Sequence, residues 1–297
     1  MQTIKIGATN WEVSNVTLGI MRMGTLPVAE AVKTLQAAHE AGINFIDSAD
    51  IYGRDPKLGR GSSEIHFGQA LKQSGLRRDD FYIQSKAGLF ADETGRITRY
   101  DSSKKHLLTA VDGILERMGI DYLDSFLIHR PDPLMEPEEV AAAFDELQKA
   151  GKVRHFGVSN FNQHDLQNIL DHATVRPAVN QVLAHVTNTP FELIDFCQQN
   201  DILVEAYSPV AHGAVLANPV LNELADKYGV SVAQLCIRYD LQLGLLPLPK
   251  TANPDHMKQN ADVDFVITSD DLETMKHLEH IKDYGKDGFF PVYGGKI

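Results

Sequence analysis

Along the chain, short apolar runs alternate with longer stretches in which apolar residues recur every three or four positions. The runs are Val16–Leu18, Asn44–Ile46, Phe81–Ser85, Ser125–Ile128, Val153–Val158, Ala178–Asn180, Leu203–Ala206 and Leu245–Leu248. Each is short and largely apolar, the pattern of a strand covered on both faces. The stretches with a helical period are Ala29–Ala41, Ser62–Gln73, Ser103–Met118, Pro137–Ala150, Asp165–Asp171, Phe191–Gln199 and Ser231–Leu243, with a last helix at Asp270–Lys282. In the first of these, Ala31, Leu35 and Ala38 fall on one face. Pro137-Glu138-Glu139 opens a helix with proline in its first turn and carboxylates at its positive end, and Ala150-Gly151 closes it. Ahead of the first run, Thr3–Ile6 and Trp11–Val13 flank Gly7–Asn10 as the arms of a β-hairpin.

Eight strand–helix units follow one another without a linker, a low-complexity block or a charge run. That predicts an α/β protein with a single domain over residues 1–297: a (β/α)8 TIM barrel preceded by a hairpin that acts as a plug. A doubly wound sheet is the alternative; the short repeats and the lack of a central break favour the barrel.

Composition narrows the possible partners. The 297 residues carry a net charge of −12, which argues against a general nucleic-acid or anionic-membrane role while leaving room for a local basic pocket. Cys197 and Cys236 each lie within an apolar helical pattern, with no Cys-x-x-Cys and no zinc spacing, so buried free thiols and no metal are expected. The first residues lack the apolar core of a signal peptide and no run reaches membrane-spanning length, which predicts a cytoplasmic protein. The pattern assigns no oligomeric state.

In such a barrel, side chains at the carboxyl ends of the strands share one mouth. Asp47 follows the second run, Lys86 the third, His129 the fourth and Ser159-Asn160 the fifth; Gln181 follows the sixth, Tyr207-Ser208 the seventh and Lys250-Thr251 the eighth. Singly each has an ordinary explanation as a helix cap, a solvated lysine or a satisfied histidine. Seven in succession converge. Asn44–Gly53 adds Tyr52 five residues after Asp47. A phenol with a reference pKa of ~10 keeps its proton at neutral pH. A nearby ammonium such as Lys86, held by Asp47, favours its release, and His129 can hydrogen-bond a substrate oxygen. The set suits a general acid that protonates an oxygen as a carbonyl receives hydride, and no side chain donates hydride, so a cofactor is required. Gly59-Arg60-Gly61-Ser62-Ser63-Glu64 is no Rossmann fingerprint, and Gly157–Phe161 is no nucleophile elbow.

Across residues 4–260 the chain resembles the aldo-keto reductase superfamily, and within it a bacterial branch. The segments that carry the resemblance are Asn44–Gly53, Gln84–Lys86, Leu127–Met135, Gly151–Phe161, Asn180–Val182, Ala206–Pro209 and Pro249–Asn260. The resemblance implies a barrel closed at its base by the hairpin, and a reductase that passes hydride from nicotinamide C4 of NADPH to an aldehyde or ketone. It implies Tyr52 as proton donor, Lys86 lowering its pKa, Asp47 partnering Lys86 and His129 orienting the carbonyl. It further implies Ser159, Asn160 and Gln181 on the nicotinamide carboxamide, Tyr207 stacked on the ring, Ser208 along the phosphates, Lys250 and Thr251 at the 2′-phosphate and Asn260 at adenine. Where many relatives carry arginine in the Pro254-Asp255-His256 turn this chain has His256, which offers no permanent charge or fork, so NADH is possible as well.

Specificity is expected from Met21–Thr25, Leu89–Arg99, Pro131–Glu136, His185–Pro190 and the tail after Tyr284, with Met21, Met23, Phe90, Phe289, Phe290 and Tyr293 as candidate apolar walls. Two rival readings are an NADPH-binding regulatory subunit with little turnover and a metal-dependent hydrolase built on Asp47, Asp50 and His129.

Overall fold

Buried strands alternating with amphipathic helices build the structure, a computed structural model that describes residues 2–92, 96–251 and 253–281. A hairpin comes first, β1 (Thr3–Lys5) antiparallel to β2 (Glu12–Ser14). Next are β3 (Leu18–Gly19), α1 (Val28–Glu40), β4 (Phe45–Asp47), α2 (Ser62–Ser74) and β5 (Tyr82–Ala87). A second hairpin, β6 (Leu89–Ala91) with β7 (Ile97–Tyr100), intervenes before α3 (Lys104–Met118) and β8 (Leu123–Ile128). Then come α4 (Pro137–Lys149), β9 (Val153–Ser159), α5 (Gln163–His172), β10 (Val179–Leu183), α6 (Phe191–Gln199) and β11 (Leu203–Tyr207). Two helices, α7 (Pro219–Tyr228) and α8 (Val232–Gln242), precede β12 (Leu246–Leu248), and α9 (Pro254–Ala261) and α10 (Ser269–Lys276) follow it.

The eight strands pair in parallel in the order β3-β4-β5-β8-β9-β10-β11-β12. At the seam the Thr17 N–H donates to the Pro247 carbonyl at 3.4 Å, so the sheet nearly closes on itself. Pro247 has no N–H to return, which is why the last strand accepts there but cannot build a full ladder. The result is the expected barrel with its helices outside.

Inside it, Phe45, Tyr82, Val179, Leu203 and Leu246, each at the amino end of its strand, form one cluster with Ile6 and Val13 of the first hairpin. That placement makes the hairpin the plug of the amino-terminal end. Gly7 is required for it: φ is +45°, and a Cβ there would stand 2.3 Å from the Ala178 carbonyl oxygen. Beneath the plug, Asp124 is buried and accepts from Arg78 at 2.6 Å, Arg154 at 2.9 Å and the Ile83 N–H at 2.9 Å. Arg154 also lies over the Trp11 ring, tying the hairpin to this base.

Most strands run further at their carboxyl ends than the sequence pattern predicts. Asp47, Lys86, Ser159, Gln181 and Tyr207 lie within strands rather than after them. Polar side chains that point into a barrel mouth interrupt an apolar run without ending the strand. Leu89–Arg99, expected as a loop, contains the β6–β7 hairpin, and His185–Pro190 is largely buried rather than a rim loop. Two helices were missed: α7, capped by Asn218 with Pro219 in its first turn, and α9, capped by Asn253 with Pro254 in its first turn. The last helix ends at Lys276; Lys282, the tail after Tyr284, Phe289, Phe290 and Tyr293 lie outside the described residues. Cys197 and Cys236 are buried and free, and no helix among the described residues is long and apolar enough to cross a membrane.

Replacing Asp124 by alanine leaves two guanidinium groups and a buried N–H without their acceptor. A loss of about 3 kcal/mol is expected, because removing one partner strands the others, tempered by the partial exposure of Arg154. Urea denaturation at constant m-value measures it.

Candidate active site

Two residues beyond the apolar cluster on each of four strands, the barrel interior turns polar. Phe45, Tyr82, Val179 and Leu203 are followed on the same strand face by Asp47, Gln84, Gln181 and Glu205. The parallel register pairs Asp47 with Gln84 and Gln181 with Glu205. Gln84 Nε2 donates to Asp47 Oδ1 at 3.0 Å and to Glu205 Oε2 at 2.7 Å; Gln181 Nε2 donates to the same two oxygens at 2.9 and 2.8 Å. Where barrels of this kind usually stack branched aliphatic side chains, this one carries a hydrogen-bonded polar layer.

Lys86 lies one step further along β5 and is wholly buried. Its Nζ donates to Asp47 Oδ1 at 2.7 Å, Asp47 Oδ2 at 2.8 Å and the Ser48 carbonyl at 2.7 Å. Burial opposes the ammonium charge, but Asp47 and Tyr52 outweigh it and hold the Lys86 pKa above its ordinary value. Nζ is 5.2 Å from the centre of the Tyr52 ring, and the Tyr52 and His129 rings meet edge to face at 5.7 Å. The four residues expected to meet therefore do so. Burial raises the Tyr52 pKa and Lys86 pulls it down, as the resemblance implies; burial is the stronger and the net shift is upward. Tyr52 is thus a phenol that keeps its proton. Burial, then Lys86 and Arg130, drive the His129 pKa well below the usual imidazole range, so this ring is neutral.

Beside this set, the Ser159 hydroxyl donates to the Gln181 carbonyl at 2.9 Å, and Asn160 Nδ2 donates to Ser159 Oγ at 2.9 Å and the His129 carbonyl at 3.2 Å. The Tyr207 hydroxyl donates to Asn160 Oδ1 at 2.9 Å. Asn160 and Ser208 hold φ of +62° and +58°, a left-handed backbone that costs non-glycine residues energy and tends to mark functional positions. Ser208 Oγ lies 3.3 Å from His212 Nε2.

Lys250, Thr251 and His256 line a separate cavity of about 270 Å³ with Arg22, Asn253, Gly19 and Met23. Desolvation, then the Arg22 charge, lower the Lys250 pKa to about 8, although the residue as a whole is exposed. Two cations facing one cavity in a protein of net charge −12 make a basic pocket suited to a phosphate. Asn260 does not reach it and sits half-buried near the end of α9. Met23 is buried against this cavity rather than walling a substrate pocket, while Met21 and Leu134 are exposed and Phe90 is clamped by Arg99 at 3.9 Å. Sequence reasoning missed Arg22, Gln84 and Glu205. For the last two the signal was there: each stands two residues before a chosen residue, Lys86 or Tyr207, and so on the same strand face.

The hydrolase alternative does not fit. Lys86 grips both Asp47 oxygens, and burial with Glu64 raises the Asp50 pKa to about 8, leaving a neutral acid where a cation would need a carboxylate. Among the described residues no group of His, Cys, Asp and Glu is placed to hold a metal.

Comparison with known proteins agrees with the geometry. Residues 15–280 match the model of the Aldo/keto reductase family. The chain is 36% identical to glyoxal reductase of Bacillus subtilis, over 84% of this chain and 83% of that one. It is 35% identical to the uncharacterized oxidoreductase YtbE of the same organism, over 87% of each. A crystal structure of a Bombyx mori aldo-keto reductase in complex with NADP superposes with a TM-score of 0.78 at 27% identity, covering 98% of both chains.

The His129 environment can be read directly. Its ring resonances are expected to stay those of a neutral imidazole as the pH falls through ~6.5, where an ordinary histidine has half-titrated. A two-dimensional NMR titration of the imidazole nitrogens checks this.

Proposed function

The chain belongs to the aldo/keto reductase family and is by that membership an oxidoreductase; from that premise we propose that it reduces an aldehyde or ketone with NADPH at the Tyr52–Lys86–Asp47–His129 site. The observation that carries this reading is a fully buried Lys86 clamped by Asp47 and set 5.2 Å from the Tyr52 ring. An ammonium in that position serves no surface or packing purpose, but it stabilises a phenolate at the moment a proton leaves.

Bound NADPH supplies the hydride. The protein's part is acid catalysis and positioning. Tyr52, its pKa raised by burial, holds a proton on its phenolic oxygen until a carbonyl oxygen gains charge and takes it. Lys86 then faces the resulting phenolate, and Asp47 keeps Lys86 in place. Neutral His129 hydrogen-bonds the carbonyl oxygen without competing as an acid.

The residues present suit the cofactor. Ser159, Asn160 and Gln181 present amide and hydroxyl groups for a carboxamide, and Tyr207 an aromatic face. Ser208 would lie along the phosphates towards the basic cavity, where Lys250, Thr251 and Arg22 would take phosphate charge and exposed His256 would offer no fork. Asn260 would meet adenine only at the rim of α9. NADH remains a second cofactor in this reading, because the fork of an arginine is missing at position 256. The same reading takes residues 1–297 as one barrel domain in the cytoplasm. Its substrate is a small carbonyl compound, as the name of the Bacillus subtilis glyoxal reductase suggests, admitted between Met21, Phe90 and Leu134. The retained acid and its neutral imidazole favour turnover over a purely regulatory role.

Tyr52→Phe should leave NADPH affinity nearly unchanged and lower carbonyl reduction by a factor on the order of 10²–10⁴, the usual worth of a positioned acid. Steady-state kinetics with a dicarbonyl substrate beside a fluorescence titration of NADPH separates the two effects; near-normal turnover removes the assignment. His256→Arg should raise the preference for NADPH over NADH by a factor of about 5–30, the worth of about 1–2 kcal/mol. Dissociation constants for both cofactors decide it.

A further inference from the structure

The polar layer contains one carboxyl group to which the reaction assigns no part. Glu205 is completely buried. Its Oε2 accepts from Gln84 at 2.7 Å and Gln181 at 2.8 Å, while Oε1 is buried without a partner. The same two amide nitrogens donate their second hydrogens to Asp47 Oδ1, at 3.0 and 2.9 Å. Each glutamine thus spans two carboxyl groups, with both N–H bonds committed. That settles which way each amide faces, and it leaves the amide oxygen of Gln181 as the group able to accept from a ligand.

Charge adds a second constraint. Facing Glu205 are Asp47 from β4 and Lys86 and Tyr82 from β5, with the neutral amides of Gln84 and Gln181 between. One ammonium cannot neutralise two carboxylates in a dry interior, so the layer favours an extra proton.

We infer that Glu205 is a positioning residue of this site: through Gln84 and Gln181 it locks Asp47 against Lys86, aims the Gln181 amide oxygen, and carries a proton whose loss changes the charge behind Tyr52. The inference rests on the reductase reading for its catalytic meaning, and on the hydrogen-bond geometry alone for the rest. Burial, then Asp47, raise the Glu205 pKa to about 7, against the lowering effect of the two amides and Lys86. Below that pH the protonated carboxyl leaves Lys86 and Asp47 as a balanced pair. Above it the layer bears a net negative charge, which holds both the Lys86 proton and the Tyr52 proton more firmly.

The sign of the stability effect follows. A carboxyl whose folded pKa lies above its unfolded value stabilises the fold fully at pH below the unfolded pKa of ~4.3, and that contribution is lost as pH rises through about 7. Glutamine at this position keeps the acceptor and the shape but has nothing to lose.

Three measurements on the full chain test the inference. In the absence of cofactor, the melting temperatures of Glu205→Gln and wild type should coincide near about pH 4.5 and diverge up to about pH 8, with the variant the more stable; a difference independent of pH overturns the proton assignment. Ultraviolet difference titration of the Tyr52 phenolate, with Tyr52→Phe as the blank, should move to lower pH in Glu205→Gln by on the order of one unit. An unmoved titration overturns the coupling. Glu205→Leu, which strands two amide hydrogens, should weaken NADPH binding by about tenfold, whereas Glu205→Gln restores it. Wild-type affinity in the leucine variant overturns the positioning role, and if that variant does not fold, loss of affinity in Glu205→Gln does so. Should wild type reduce no carbonyl at all, the proposed function falls, while the melting and phenolate titrations still judge Glu205.

Discussion

The buried ion pair of Lys86 and Asp47 is the interaction on which the rest of the site depends. Taking an ammonium and a carboxylate out of water costs several kcal/mol each, and their attraction offsets this only when further hydrogen bonds satisfy what remains. Here Lys86 makes three, two to Asp47 and one to the Ser48 carbonyl. Asp47 in turn accepts from two glutamine amides, which need Glu205 as their second acceptor. A single functional charge has therefore drawn four strands into a polar layer. A packed aliphatic layer would be the more stable alternative, so the arrangement marks a place where the fold gives up stability for chemistry.

Parallel register is what makes such a layer possible. Side chains two residues apart on one strand face the same way, and cross-strand neighbours share that direction. The apolar ring of Phe45, Tyr82, Val179 and Leu203 therefore lies under a polar ring, with Lys86 and Tyr207 above it. The hairpin plug keeps water from the lower end, the condition under which the upper charges act strongly. At the mouth the chain exits through residues with a left-handed backbone, Asn160 and Ser208, and the Asn160 side chain links Ser159, His129 and Tyr207. The basic cavity of Arg22 and Lys250 is set apart from the acid–base centre, so anion recognition and proton transfer occupy different elements.

Much of this was legible in the chain. Eight apolar runs with intervening helical periods are a local signal, and they yielded the barrel, its hairpin and the strand order in sequence. Residues that end a run, such as Asp47, Lys86 and His129, stood out because their polarity broke an apolar stretch. Gln84 and Glu205 did not, although both occupy the same face, because a lone polar residue within a run reads as tolerance rather than purpose. Arg22 and Lys250 are more than 200 residues apart in the chain and meet only because the first and last strands close the barrel. The helices α7 and α9 open on Asn218-Pro219 and Asn253-Pro254, pairs that suit a turn as well as a helix start.

The sequence by itself determined the alternation of elements, the interior-facing parity of each strand and the residue types available for acid–base work. Those follow from periodicity and side-chain chemistry, which act over a few residues. Tertiary structure decided the protonation states: burial outweighs Lys86 at Tyr52, silences His129 as a base and turns Glu205 towards its neutral form. Desolvation depends on everything packed around a group, and no stretch of sequence carries that information.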